Sequence, residues 1–354
     1  MAGERCRAVF LLGAILSALW PVAVARGAAV ETARWLREEA GLSAGIVCLP
    51  RCVDADLALG LAADDGMVVH AMSEDTALVR ALRRRARSKG LLGRRLYVEP
   101  GSPQSIPFAD SYVDLLALTD LTEDTLGEVD RAEVLRVLTP WRGIGILGGA
   151  ADALPRAVLE RWAEGFEGAE TRVAENSRGN WVVVRKPIEP GWDDWTHRNH
   201  GPDNNLVSRD STLEPPFLTQ WLGRPTHEGY WGTTVVVAGG RMFTIWATRA
   251  FYGDNVSLIA RSLHNGAVLW ERPFTEEARQ PYENERYNAG YNPGRCCAVA
   301  TPEELYLADG DGILLLDAER GGELGRLQGP KPDGQIKWMA VTGGTIAVPP
   351  GERD

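Results

Sequence analysis

The chain has 354 residues, enough for two domains with separate cores. Its formal net charge of −10 argues against a general nucleic-acid binder. Tryptophan is enriched, at 12 residues, in an otherwise ordinary globular composition.

Arg5 and Arg7 precede an apolar run from Ala8 to Ala25 that Pro21 interrupts. Ala23–Val24–Ala25 fits a small-x-small cleavage site, so residues 1–25 are expected to be an export signal. An uncleaved anchor is the alternative, and the only membrane contact expected. Cys6 precedes the apolar run and is not placed for lipid attachment. The mature protein is expected to be periplasmic or otherwise extracytoplasmic, where disulfides are permitted.

Residues 26–187 alternate short apolar runs with helical patterns, the mark of an α/β domain with a mostly parallel sheet. Helices are predicted at Thr32–Ala40, Asp54–Leu61, Glu74–Ser88 and Arg131–Leu138. Strands are predicted at Gly45–Leu49, Gly66–Ala71, Arg95–Val98, Val113–Leu118, Ile144–Leu147 and Gly179–Arg185. The basic run Arg80–Lys89 sits at helical spacing and reads as a solvated helix face. Cys48 and Cys52, four residues apart, read as two packed thiols, with a local disulfide as the alternative.

Residues 188–214 form a junction rich in functional side-chain types, Gly191–Trp–Asp–Asp–Trp–Thr–His197–Arg–Asn–His200–Gly–Pro–Asp203. His197, His200 and Asp203 could ligate a metal. The favoured reading has Trp192 and Trp195 packing between domains while Asp and Asn cap turns.

From residue 215 to 354, helical periodicity gives way to short β runs punctuated by glycine, proline and tryptophan, an all-β unit. Arg261–Trp270 aligns with Leu316–Gly325, each a strand, a polar turn with glycine at the same place, and a strand. An upstream strand recurs at Gly240–Ile245, Glu303–Leu307 and Gly344–Val348. Cys296 and Cys297 are neighbours, read as a strand start with one thiol buried.

Three segments of the first domain carry a family resemblance: Ile106–Asp110, Val113–Leu116 and Glu133–Pro140. Together they resemble the back half of a class I S-adenosylmethionine (SAM) methyltransferase, which implies a Rossmann-like α/β domain. It also implies a glycine-rich loop after the first strand and an acid ending the second, which grips the ribose. The first position reads Leu49–Pro50–Arg51–Cys52–Val53–Asp54, with no glycine. At the second, the first acid is Glu74, one position late. Asp110 and Asp114 match the strand-four region, and Gly143 follows the helix as the family implies. Cys48, Asp54, Glu74 and Asp110 are therefore what remains of a degenerate SAM site. SAM-dependent methyl transfer, with SAM as cofactor, is kept as a second alternative, disfavoured because SAM is made and held in the cytoplasm.

The second unit resembles the blades of a pyrroloquinoline-quinone (PQQ) type β-propeller, in which a Leu-Asp-Ala-x-Thr-Gly-x-x-Leu-Trp turn joins the outer strands. Leu316, Asp317, Ala318 and Gly321 match one copy; Gly266, Leu269 and Trp270 match another. Fewer than the four blades needed for closure fit, so an incomplete propeller is expected, either a piece of a longer protein or one with an open β edge. Together the two units look like exported bipartite proteins, a methyltransferase-like domain followed by PQQ repeats. No certain cofactor follows. The leading expectation is an interaction platform whose loops at Ala250–Asn255 and Tyr282–Asn292 contact a protein or glycan. The alternative is a quinoprotein oxidoreductase using PQQ and calcium, with Cys296–Cys297 as a vicinal disulfide over the quinone.

Overall fold

A computed structural model describes residues 27–215, 219–223, 234–247, 256–273, 296–330 and 336–349. The segment read as an export signal and the two loops read as recognition loops lie outside the described residues. Among the described residues, no helix is long and apolar enough to cross a membrane.

The first unit is built on one seven-stranded sheet. Its strands are β1 (Gly45–Leu49), β2 (Met67–Ser73), β3 (Leu96–Pro100), β4 (Leu115–Leu118), β5 (Ile144–Gly149), β6 (Glu170–Asn176) and β7 (Gly179–Arg185). Their order is β3-β2-β1-β4-β5-β7-β6. The first five run parallel, while β7 pairs antiparallel with both β5 and β6. A 3-2-1-4-5 parallel order is the Rossmann winding. With the antiparallel 7-6 hairpin added, the unit is a methyltransferase-like Rossmann domain.

Parallel strands covered on both faces need near-continuous apolar sequence. β4 is Leu-Leu-Ala-Leu, buried throughout, and β5 is buried along its whole length. Three helices cover one face: α1 (residues 27–40), α2 (Ala55–Ala62) and α3 (Thr76–Ser88). α4 (Arg131–Val137) and α5 (Arg156–Ala163) cover the other. Asp54, Asp75 and Asp130 each N-cap a helix by accepting two amide hydrogens, which satisfies donors the helix leaves unpaired.

Among the described residues, the second unit holds two four-stranded antiparallel meanders and a hairpin. The first meander is β8 (Thr234–Ala238), β9 (Arg241–Ala247), β10 (Val256–Ser262) and β11 (Val268–Pro273). The second is β12 (Ala298–Ala300), β13 (Glu304–Asp309), β14 (Gly312–Asp317) and β15 (Glu323–Gln328). β16 (Ala340–Thr342) and β17 (Thr345–Ala347) form the hairpin. Among the described residues no sheet closes on itself.

The repeat is structural as well as sequential. β10 and β11 pair Ala260 with Trp270, then shift register to pair Arg261 with Val268. β14 and β15 pair Leu315 with Gly325, then shift to pair Leu316 with Glu323. The bulge thus falls at the same place in both copies, at the spacing the sequence alignment gives. Gly266 and Gly321 occupy the same turn position at φ 71° and 67°, where a Cβ is strained. Each carries an indole face: Trp221 lies against Gly266 and Trp270 against Gly321. Each indole Nε1 donates to the carbonyl of the residue three before that glycine, Leu263 at 2.8 Å and Ala318 at 3.1 Å. Trp221 and Trp270 thus pack the two repeat turns in the same way.

Candidate functional site

In a Rossmann sheet, ligands bind beyond the carboxyl ends of the strands, where strand order reverses. Here that switch point lies between β1 and β4. The loop leaving β1 lays Arg51 across it. Arg51 Nε donates to Asp120 Oδ2 at 2.8 Å, and Nη1 to Glu128 Oε2 at 2.5 Å. Asp120 follows β4 and Glu128 lies in a 3-10 turn, Leu126–Glu128. Burial pushes the Asp120 carboxyl above its ordinary range, and Arg51 pulls it back.

The rest of the loop closes toward β2. Cys52 N donates to Met72 O at 2.6 Å, and the Cys52 side chain is buried. Burial pushes its thiol up to about 12, so it is a packed thiol and not a nucleophile. The Met72 side chain fills the space beside Gly101, so that a Cβ there would overlap its Cε.

The degenerate-site residues fall in different places. Cys48 is fully buried among the apolar residues of the α4–α5 face, and burial pushes its thiol up strongly. Cys52 belongs to the opposite cluster, so the sheet separates the two sulfurs. Asp54 caps α2, its Oδ1 accepting from Asp56 N at 2.8 Å and Leu57 N at 3.4 Å. That helix terminus, the natural seat for an anion, thus already holds a carboxylate. Glu74 follows β2 and is exposed. Asp110 lies away from the crevice, near the start of β4, where Arg136 Nη1 donates to its Oδ1 at 2.7 Å. Only Asp54 and Glu74 therefore lie near the crevice mouth. The geometry does not fit a bound adenosyl nucleoside: Arg51 crosses the switch point, and the β1 loop offers no glycine for close backbone approach.

The opposite end of the sheet is buried against the repeats. Asp114, just before β4, is fully buried and accepts from Ile46 N at 2.9 Å, Arg142 Nη1 at 2.9 Å and Asn265 Nδ2 at 2.8 Å. Arg142 also donates to Glu319, Nη2 to Oε1 at 2.9 Å and Nε to Oε2 at 3.1 Å. Arg241 Nε donates to Glu319 Oε2 at 2.9 Å. Asn265 and Glu319 stand in the two equivalent repeat turns, so both turns dock on the amino ends of the parallel strands. Trp192 completes the contact, with His264 at 5.2 Å and Trp141 at 5.3 Å between ring centroids. Asp114 was visible in the sequence as a strand-four match. Arg142, Glu319 and Asn265 carried no local signal, because their partners lie far along the chain.

The metal candidates are turned to separate partners. His197 Nε2 accepts from Val341 N at 3.1 Å, His200 Nε2 meets Asp193 Oδ2 at 2.6 Å, and Asp203 Oδ2 accepts from Arg209 at 3.1 Å. Among the described residues, no group of three or more His, Cys, Asp or Glu is placed to hold a metal. Cys296 and Cys297 are thiols, both buried at the entry to β12, with Cys297 Sγ 3.6 Å from Lys337 O. The expectation of one buried thiol thus becomes two.

No family model matches the chain, and no curated protein does. Solved structures do align with its first unit. One is a protein of Methanococcus maripaludis described as a SAM-dependent methyltransferase, at 16% identity, covering 45% of this chain and 84% of that one, TM-score 0.39. Another is the [4+2]-cyclase SpnF, at 16% identity over 45% and 82%, TM-score 0.37. A third is a methyltransferase from Geobacter sulfurreducens, at 19% identity over 44% and 79%, TM-score 0.35. At these identities and scores the likeness adds nothing to what the strand order establishes.

Proposed function

We propose that this is an exported binding or scaffold protein, in which a catalytically silent methyltransferase-like domain is the base for a β-repeat interaction platform. The observation that carries this reading is Arg51, held across the switch point by Asp120 and Glu128. An occupied crevice offers neither the ribose grip nor the open loop that methyl transfer needs. The other end of the same sheet supports the base role, since Asp114, Arg142 and Glu319 tie it to the repeat turns. The antiparallel meanders are read as blades of a PQQ-like propeller, since a propeller blade is a four-stranded sheet. The partner is a protein or glycan, engaged through the repeat loops.

The test is thermal denaturation of the full chain with and without SAM. A ligand at 100 times its Kd stabilises by about 2.7 kcal/mol and raises the midpoint, whereas millimolar SAM, which the closed crevice excludes, should leave it unchanged. A rise of several degrees would revive the SAM-dependent methyltransferase reading. PQQ-dependent dye reduction by the full chain would instead revive the quinoprotein reading.

A further inference from the structure

The hairpins β8–β9, β12–β13 and β16–β17 turn at Gly239–Gly240, Pro302–Glu303 and Gly343–Gly344. Val237, Ala300 and Val341 each stand two residues before their turn. They are one position repeated three times. Their amides all point at the junction. Val237 N donates to Trp195 O at 2.7 Å, Ala300 N to Thr196 O at 2.9 Å, and Val341 N to His197 Nε2 at 3.1 Å. Three equivalent donors from three successive sheets thus meet three successive junction residues.

The third acceptor is a side chain because the backbone has turned away. His197 N donates to His200 O at 3.2 Å, closing a tight turn, and His200 sits at φ 73°. Asp193 holds His200 in that strained position through its Oδ2. The tautomer of His197 follows from its surroundings. Thr196 Oγ1 donates to His200 O at 3.3 Å and so accepts the Nδ1 proton of His197 at 2.7 Å. Nε2 is left bare to accept from Val341. His197 is buried, so an amide facing it has no water to replace the bond.

We infer that the first-strand ends of the repeat array form a binding site for an extended segment with consecutive acceptors, filled in cis by Trp195–Thr196–His197, which fixes the three sheets relative to one another. His197 is the positioning residue for the third sheet. The inference stands on the junction contacts alone and is independent of whether the crevice binds SAM. A partner that engages the array must therefore use another surface, or displace this segment.

Residue-resolved amide hydrogen exchange on the full chain tests it, because the three equivalent amides serve as mutual controls. His197→Ala should lower protection at Val341 about tenfold while Val237 and Ala300 keep theirs. His197→Gln, whose Oε1 reaches the position of Nε2, should restore it. An unchanged Val341, or an equal loss at all three amides, overturns the inference. Should His197→Ala fail to fold, imidazole 15N resonances of the wild-type chain decide. A proton on Nδ1 with bare Nε2 agrees; a proton on Nε2 overturns it.

Discussion

Arg142 and Glu319 stand 177 positions apart and share two hydrogen bonds, Nη2 to Oε1 at 2.9 Å and Nε to Oε2 at 3.1 Å. The contact joins the floor of a Rossmann sheet to a repeat turn, with Asp114 behind the guanidinium and Arg241 behind the carboxylate. Burial pushes the Glu319 carboxyl up, but the bonds and charges of Arg142 and Arg241 outweigh it and hold it below its usual range.

Removing one partner of a buried pair costs about 3–5 kcal/mol, because the other charge is left uncompensated. Arg142→Met leaves Asp114 without a cation and Glu319 with Arg241 alone, and is expected to fall within that range. Glu319→Gln keeps a hydrogen-bonding oxygen and should cost less. Urea unfolding of both single variants and the double variant measures the coupling. A coupling below about 0.5 kcal/mol would show that the two residues act independently.

Acidification should loosen the interface in two windows. His264 stacks on Trp141 and Trp192, and burial, helped by Lys186 and Arg142, pushes its pKa down to about 4. Its unfolded value is about 6.5, so between these limits the unfolded chain binds more protons and stability falls as pH falls. Glu319 has a depressed folded pKa, so its contribution is present above about 4.3 and lost below. The thermal midpoint should fall by several degrees between pH 7 and 5, and His264→Phe should reduce that slope, with His197, which burial also pushes down to about 4, supplying the remainder. An identical slope in the variant would contradict the role given to His264.

The repeat glycines are expected to differ in sensitivity. At Gly321 a Cβ would come within 2.5 Å of the Trp270 ring and meet φ 67°, so Gly321→Ala should cost about 2–3 kcal/mol. Gly310 has φ 61° with nothing within 4 Å, so Gly310→Ala should cost about 1 kcal/mol of backbone strain. Denaturant midpoints of the two variants check the ordering.

Much of this fold is legible locally. The strands β1, β2, β4 and β5 are apolar runs that the sequence places to within two residues, and the helices after β1 and β2 are placed to within two residues of their starts. The repeat register was legible because a glycine at φ near 70° must recur where a turn recurs. β6 was not, since Glu170–Asn176 is a polar edge strand with little buried surface to set a period of two. α5 was missed because it is eight residues long and enters through Pro155 without a side-chain cap. At the crevice, the missing glycines and the bulk of Arg51 could be read. Its partners Asp120 and Glu128 could not, being 69 and 77 positions away. The role of Asp110 depends on Arg136 at the far end of α4, which spacing alone does not place.

Arg51, bonded to Asp120 and Glu128, is the latch of the β1 loop, and breaking it should not create a cofactor site. Arg51→Ala leaves Asp120 partly buried without its partner and is expected to cost about 1–2 kcal/mol, with Met72 still filling the space beside Gly101. Urea unfolding measures the loss. An unchanged stability would mean that the latch contributes nothing to the closed loop.

Equilibrium dialysis of the full chain against labelled SAM tests the central claim most directly, because it reports occupancy without requiring turnover. The label is expected to distribute equally on both sides up to millimolar ligand. A saturable excess on the protein side, approaching one SAM per chain, would contradict the closed crevice and the silent role given to the methyltransferase-like domain.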